Sequence, residues 1–100
     1  MIYEGDYRLC LVNSKSKKFK QRYIVQCKYK NEWRTCEFTY GGAKFYSSFT
    51  IDGIFTTLLS YSYQLKSEPF SGFNIIEHKN PTDFIIAIEQ FQEDYPELFI

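Results

Sequence analysis

The side chains that most often carry out catalysis are scarce in this sequence. It has one histidine, His78, which follows Glu77, and three cysteines at Cys10, Cys27 and Cys36. A cysteine nucleophile needs a base within hydrogen-bonding reach, and nothing in the local sequence brings His78 to a cysteine. A lone histidine in a loop is also a poor candidate for acid–base catalysis without a partner. We therefore predict that the protein is not an enzyme.

The short motifs that hold phosphates, metals or an activated serine are also missing. G-x-S-x-G, the P-loop, H-E-x-x-H and G-x-G-x-x-G do not occur. The pair Gly41-Gly42 is more typical of a strand end than of a phosphate-binding loop. The cysteines lack the C-x-x-C spacing of a zinc site and the even count of a secreted disulfide framework. They are predicted to be small buried side chains, and we predict no metal and no cofactor.

A group of acidic residues near the C-terminus is a second candidate set. Its members are Glu89, Glu93, Asp94 and Glu97. Glu89 and Glu93 are four residues apart, so they share one face of a helix. A hard cation would need further oxygen ligands from elsewhere in the chain. The favoured interpretation is therefore a solvated helix face that a basic partner could contact.

The basic residues of the first half form a third candidate set. Residues 15–22 hold five Lys or Arg and one Phe. The residues predicted to bind nucleic acid or an acidic partner are Lys17, Lys18, Lys20, Arg22, Lys28, Lys30 and Trp33. In the predicted sheet, the last four of these lie on the face opposite the core. Such a face binds single strands by base stacking and phosphate neutralisation, whereas the alternative is a solvated hairpin whose lysines protect a strand edge.

The two halves of the chain carry opposite charge although the net charge is zero. Residues 1–50 hold ten Lys or Arg and four Asp or Glu, and residues 51–100 hold two and eight. Two interpretations stay open: the halves neutralise each other, or they form separate basic and acidic binding faces. No apolar stretch approaches the ~20 residues of a membrane span, and the N-terminus does not resemble a signal peptide. We predict a cytoplasmic protein without membrane contact.

Alternation of apolar and polar residues predicts three strands early in the chain. They cover residues 7–12, 20–30 and 33–40. A two-residue turn at Asn31-Glu32 pairs Lys30 with Trp33 and Val25 with Phe38. The apolar residues of the second and third strands then fall on one face, and burial of that face should hold the register. Residues 43–49 are left open between a strand and a loop.

Apolar residues at helical spacing predict two helices in the second half. The first begins after Thr50, a plausible N-cap, and its apolar stripe runs from Ile51 to Leu65, although residues 60–66 are also compatible with a strand. A short strand is predicted over residues 71–78. The second helix has Asn80 as its N-cap and Pro81 at its first position, and it ends before Pro96.

Together these elements predict an α+β fold. The expected architecture is a single domain over residues 1–100, with an antiparallel sheet of three to five strands and two helices packed on one face. Apolar residues make up 44% of the chain and aromatic residues 20%. A chain of this length buries roughly two-thirds of its unfolded surface, so it can fold without metals or disulfides.

Three segments carry a resemblance of pattern. They are the strand end Phe38-Thr39-Tyr40-Gly41, the helix over residues 51–60 and the helix over residues 81–88. Across residues 20–96 the chain resembles small accessory proteins encoded by phages and prophages, of the anti-CRISPR type. The resemblance implies action by binding, because several such proteins cover a nucleic-acid site of a host defence nuclease with acidic side chains. The acidic second half fits that pattern, and the basic first half departs from it.

Two functional hypotheses follow. The leading one is a non-enzymatic protein-binding module, an inhibitor of a host CRISPR-type nuclease complex that acts in the host cytoplasm. The alternative is a nucleic-acid-binding module that uses the basic, aromatic face of the sheet. A homodimer is left open.

Overall fold

The computed structural model describes residues 6–14, 21–66 and 73–99. Within these ranges the chain forms seven strands, two α-helices and a final 3-10 helix at Pro96–Phe99. The strands are β1 (Tyr7–Ser14), β2 (Gln21–Tyr29), β3 (Glu32–Tyr40), β4 (Ala43–Phe45), β5 (Ser47–Ser48), β6 (Tyr63–Lys66) and β7 (Phe73–His78). The helices are α1 (Ile51–Ser60) and α2 (Pro81–Asp94). The α+β class is as predicted, but the sheet has seven strands rather than three to five.

All the strand pairs of the sheet are antiparallel. Strand β1 lies between β2 and β7, and β2 continues to β3 at their shared hairpin. Beyond Thr35 the two strands separate, and β4 pairs with β3 while β5 pairs with β2. Strand β6 pairs with the other edge of β3. The additional strands therefore come from residues 43–49 and 60–66, which the sequence had left open.

The β2–β3 hairpin turns one residue earlier than the sequence predicts. Tyr29 pairs with Glu32 and Lys28 with Trp33, so the turn residues are Lys30 and Asn31 rather than Asn31-Glu32. Both turn residues have positive φ, 51° and 64°. That geometry is a type I′ turn, whose twist matches the twist of the two strands. Each residue's cross-strand partner shifts by two positions from the prediction, so the side chains that remain in the two strands keep their predicted faces.

Helix α1 is shorter than the predicted apolar stripe. Thr50 caps it as expected, with its Oγ1 accepting from the Gly53 amide at 3.0 Å. The helix ends at Ser60, and the chain continues as β6. There Tyr63 lies opposite Phe38 on β3. Pairing with the open edge of β3 provides backbone hydrogen bonds for this segment and half-buries Tyr63 and Leu65.

Helix α2 agrees closely with its prediction. The Asn80 side chain accepts from the Asp83 amide at 2.9 Å, and Pro81 occupies the first turn. The helix ends at Asp94, before Pro96. Its inner side chains Phe84, Ile88 and Phe91 are buried, whereas Tyr95, which follows the helix, is 39% exposed. No helix in the described part of the chain combines the length and apolar character needed to cross a bilayer.

Both helices pack on one face of the sheet, which we call the helix face. Val25, Cys36 and Phe38 from the sheet meet Ile54 of α1 and Phe84 of α2 in one apolar core. The opposite face, called the second face, carries the alternate residues of the same strands. Cys10, Val12 and Ile24 form a smaller buried cluster there. In the described part of the chain, the centre of the sheet is therefore buried on both sides.

Candidate functional site

The second face presents a cation–aromatic group at the hairpin end of the sheet. Arg8 Cζ lies 4.2 Å from the centroid of the Trp33 ring, and Lys28 Nζ lies 5.8 Å from it. Both distances are within the range in which a cation is attracted to an aromatic ring. Lys28 is exposed, while Arg8 and Trp33 are half-buried. We call Arg8, Lys28 and Trp33 the basic aromatic patch.

A row of side chains across three strands holds the Arg8 guanidinium in place. Arg8, Gln26 and Thr35 are successive cross-strand partners on β1, β2 and β3. Arg8 Nε and Nη2 donate to Gln26 Oε1 at 2.9 and 2.7 Å, and Gln26 Nε2 donates to Thr35 Oγ1 at 3.2 Å. Gln26 and Thr35 are both buried. Since arginine is only a donor, the amide of Gln26 has a single orientation that satisfies this row.

The structure brings together only part of the predicted basic set. Lys28 and Trp33 lie on the second face, as predicted, but they are direct cross-strand partners, whereas the sequence had paired Trp33 with Lys30. Lys30 instead occupies the turn, and its ammonium lies 5.4 Å from the ring of Tyr29. Tyr29 follows Lys28 in β2, so its side chain points to the opposite face. The expectation that Lys30 shares the second face with Trp33 is therefore wrong.

Of the predicted basic residues not yet placed, the structure describes Arg22, which does not join the patch. Arg22 lies on the second face, but six residues along β2 from Lys28, a separation of about 20 Å. Its guanidinium stacks on Phe49 at 4.5 Å and donates to Ser47 Oγ at 3.0 Å. Lys17, Lys18 and Lys20 lie outside the described residues. Arg8 was missed because it is a single cation at an alternate position of β1, with no basic neighbour in the sequence.

The predicted acidic set lies on the outer side of α2 and just beyond it. Glu89, Glu93, Asp94 and Glu97 are all exposed. Asp94 accepts a hydrogen bond from Gln90 at 3.0 Å. Ion pairs among the described residues join Arg34 to Glu32 and both Lys44 and Lys66 to Glu37, and none involves this acidic set. The described basic residues therefore do not neutralise the acidic set directly.

The sheet places one cysteine opposite the only histidine. Cys10 on β1 and His78 on β7 are cross-strand partners, a pairing that local sequence did not indicate. The Cys10 side chain is fully buried, and burial raises its pKa. A thiolate is the reactive form of cysteine, so this pair is poorly suited to nucleophilic chemistry. Burial raises the pKa of Cys27 and Cys36 as well.

Glu37 is a buried acid on β3. Its carboxylate accepts from Gln64 Nε2 at 2.5 Å and lies 3.6 Å from Lys66 Nζ and 4.0 Å from Lys44 Nζ. The hydrogen bond from Gln64, with help from Tyr46 and the two lysines, lowers the pKa of Glu37. Gln64 and Lys66 belong to β6 and Lys44 belongs to β4, so Glu37 links both strands to β3 and serves a structural role.

A cleft of about 140 Å³ opens beside the start of α1. Its walls include Leu9, Leu11 and Ile51, with Glu77 and His78 at one side. Pockets for small-molecule ligands usually measure about 300–1,000 Å³, so this cleft is small for such a ligand. Within residues 6–14, 21–66 and 73–99, no three His, Cys, Asp or Glu side chains come together as metal ligands would.

Comparison with protein families, curated proteins and solved structures finds no match for this chain. The resemblance to phage-encoded accessory proteins therefore stays a prediction.

Proposed function

We propose that the chain is a non-enzymatic binding protein of the cytoplasm whose basic aromatic patch contacts single-stranded nucleic acid. The observation that carries the proposal is the convergence of Arg8, Lys28 and Trp33 at one end of the second face. Cations beside an aromatic ring provide the two contacts that single strands need, which are phosphate neutralisation and base stacking. This reverses the order of the two hypotheses drawn from the sequence.

The surroundings of the patch favour an anionic ligand. Lys30 and Arg34 lie at the same hairpin, both against the ring of Tyr29 on the opposite face. Glu32 is the one acid in the hairpin segment 28–34, and it pairs with Arg34 at 3.8 Å. The hairpin end therefore has a positive potential that would attract phosphates over a distance of about a Debye length.

Fluorescence of Trp33, the only tryptophan, provides the direct test. We expect single-stranded oligonucleotides to change its emission at low salt and to bind less tightly as salt rises. Each phosphate contact contributes a log–log slope of about −0.7 for single strands. Lys28→Gln should make the slope shallower by about that amount, and Lys79→Gln, an exposed lysine outside the patch, should leave it unchanged. Absence of binding at low salt would reject the proposal.

A protein partner is the second candidate, and the acidic set on α2 favours it. The four carboxylates of this set are exposed, and none forms an ion pair with a described Lys or Arg. The outer face of α2 also carries Ile86, which is 58% exposed. Such a face has the charge and the apolar contact to occupy a basic groove. If the chain inhibits a CRISPR-type nuclease complex, this face of α2 would cover the nucleic-acid site of the nuclease.

Inhibition of a CRISPR-type nuclease in a cleavage assay tests this second candidate. We expect the purified chain to slow cleavage and the double variant Glu89→Lys, Glu93→Lys to lose the effect. Lys28→Gln serves as the control, because it changes the charge of the other candidate surface. Equal inhibition by wild type and by the double variant would show that the acidic set is not the contact.

A further inference from the structure

We propose, on the basis of the proposed function, that Arg8 is the surface on which a nucleic-acid base stacks, with Trp33 as its support and Gln26 as its positioning residue. The sequence had assigned the stacking role to Trp33. The Arg8 guanidinium already lies 4.2 Å from the centroid of the Trp33 ring. That separation leaves no room for a base between them, so a base approaching this side of Trp33 meets Arg8 first.

The contacts of Arg8 define which parts of its guanidinium stay available. Its Cζ lies over the Trp33 ring, and Nε and Nη2 donate to Gln26 Oε1. The side of the guanidinium away from Trp33 and the Nη1 atom are not used by these contacts, and the side chain is only half-buried. Arginine planes stack on bases as aromatic rings do. Arg8 can therefore hold a base on its outer plane while Lys28, beside it, neutralises a phosphate.

The buried row behind Arg8 explains how the guanidinium is held before a ligand arrives. Gln26 Oε1 accepts both bonds from Arg8, and Gln26 Nε2 is fixed by Thr35 Oγ1. Cys10 Sγ also contacts Gln26 Oε1, at 3.5 Å. A free arginine loses considerable rotamer freedom when it binds a ligand. Because this arginine is already ordered, the chain has less entropy to lose on binding.

The experiment measures affinity for two probes, a short single-stranded deoxyadenosine oligonucleotide and an abasic oligonucleotide of the same length. The variant Arg8→Lys keeps the charge but removes the plane. We expect it to bind the deoxyadenosine probe about tenfold more weakly, with an unchanged salt slope and an unchanged affinity for the abasic probe. Arg34→Lys is the matched control, since Arg34 also stacks on an aromatic ring, that of Tyr29, but on the opposite face.

The role of Gln26 is tested by a double-mutant cycle. Gln26→Leu removes the acceptor that orients Arg8, so it should weaken binding of the deoxyadenosine probe. In the Arg8→Lys background the same change should have little further effect, because a positioning residue acts through the group that it positions. A thermal melt of each variant shows whether it is folded. If Arg8→Lys does not fold, the inference is tested by the affinity of Gln26→Leu for the two probes.

The outcomes separate the inference from the proposed function. Normal binding by Arg8→Lys, or an equal loss for both probes, would overturn the inference while leaving a nucleic-acid-binding protein. An additive effect of Gln26→Leu in the cycle would overturn its role as a positioning residue. If the wild-type chain binds neither probe at low salt, the proposed function and the inference both fall.

Discussion

On the helix face of the sheet the buried side chains are almost all apolar, whereas on the second face buried polar groups lie among them. The helices pack on Phe38, Val25 and Cys36, and the only hydrogen-bonding group in these three side chains is the Cys36 thiol. On the second face the polar side chains of Gln26, Thr35 and Glu37 are also buried. Gln26 bonds to Thr35, and Glu37 bonds to Gln64.

The difference between the faces shows how a small sheet can combine stability with an oriented surface group. Apolar packing is non-directional and depends on the area removed from water. Hydrogen bonds fix direction, and a buried polar group without a partner is costly, so a row such as Arg8–Gln26–Thr35 has few alternative arrangements. The helix face supplies most of the stability, and the second face holds the side chains of the candidate site.

The largest effect is expected from a charge placed on the helix face. Phe38→Asp removes a fully buried ring that packs between Phe45 and Tyr63. Loss of such a ring costs about 3–5 kcal/mol, and an unpaired buried carboxylate adds to it. The total is comparable to the ~5–15 kcal/mol stability of a small domain. Circular dichroism should therefore show no cooperative melt.

Thr39→Asp is the control for that variant, because Thr39 is the next residue of β3 and is exposed. It should melt close to wild type. A cooperative melt of Phe38→Asp near the wild-type temperature would mean that this face does not form the core. Val25→Asp, on the neighbouring strand of the same face, should behave like Phe38→Asp.

A smaller and pH-dependent effect is expected from the polar side of the sheet. Glu37→Gln removes the charge that Lys44 and Lys66 share. Because folding lowers the pKa of Glu37 below its ordinary value of 4.5, the carboxylate stabilises the folded chain above about that pH. This contribution is lost as acidification protonates Glu37 in the folded state. The variant should melt at a lower temperature than wild type at pH 7.

The difference between Glu37→Gln and wild type should then shrink as the pH falls below 4.5. Glu77→Gln is the control, since Glu77 is exposed on β7. Melting curves recorded across this pH range provide the measurement. A difference that stays constant with pH would show that the charge of Glu37 does not contribute.

The sequence predicted the elements whose signals are local. The Asn80 cap with Pro81 marked α2, and the alternation around Val25 and Phe38 marked the helix face. These signals are physical properties of a few neighbouring residues, so they do not depend on the rest of the fold. The extra strands β4, β5 and β6 depend on open edges of β2 and β3, which only the folded sheet defines.

The second face was harder to predict because a polar residue in a strand is ordinarily assigned to solvent. Gln26, Thr35 and Glu37 occupy the polar positions of their strands, yet each is buried. Their partners include residues far away in the sequence, such as Gln64 for Glu37. Arg8 was missed because it has no basic neighbour in the sequence, and its partners Gln26 and Trp33 lie on other strands. Predicting this face requires the pairing of four strands, including β6, before any polar contact can be drawn.

The smallest effect concerns the hairpin, where the predicted and observed turns differ by one residue. In the structure Lys30 has a φ of 51° and Glu32 lies in β3 opposite Tyr29. Glycine adopts positive φ without the strain of about 1–2 kcal/mol that other residues bear. Lys30→Gly should therefore raise stability by about 0.5–1 kcal/mol, after its greater loss of chain entropy, and Glu32→Gly should lower it by a similar amount. In a domain of this size these changes correspond to melting shifts of about 2–8 °C in opposite directions.

A turn at Asn31-Glu32 predicts the reverse signs, because Lys30 would then be an extended strand residue and Glu32 would have the positive φ. The two variants measured side by side thus decide between the registers, and the reverse order would return Trp33 to a position opposite Lys30 rather than Lys28.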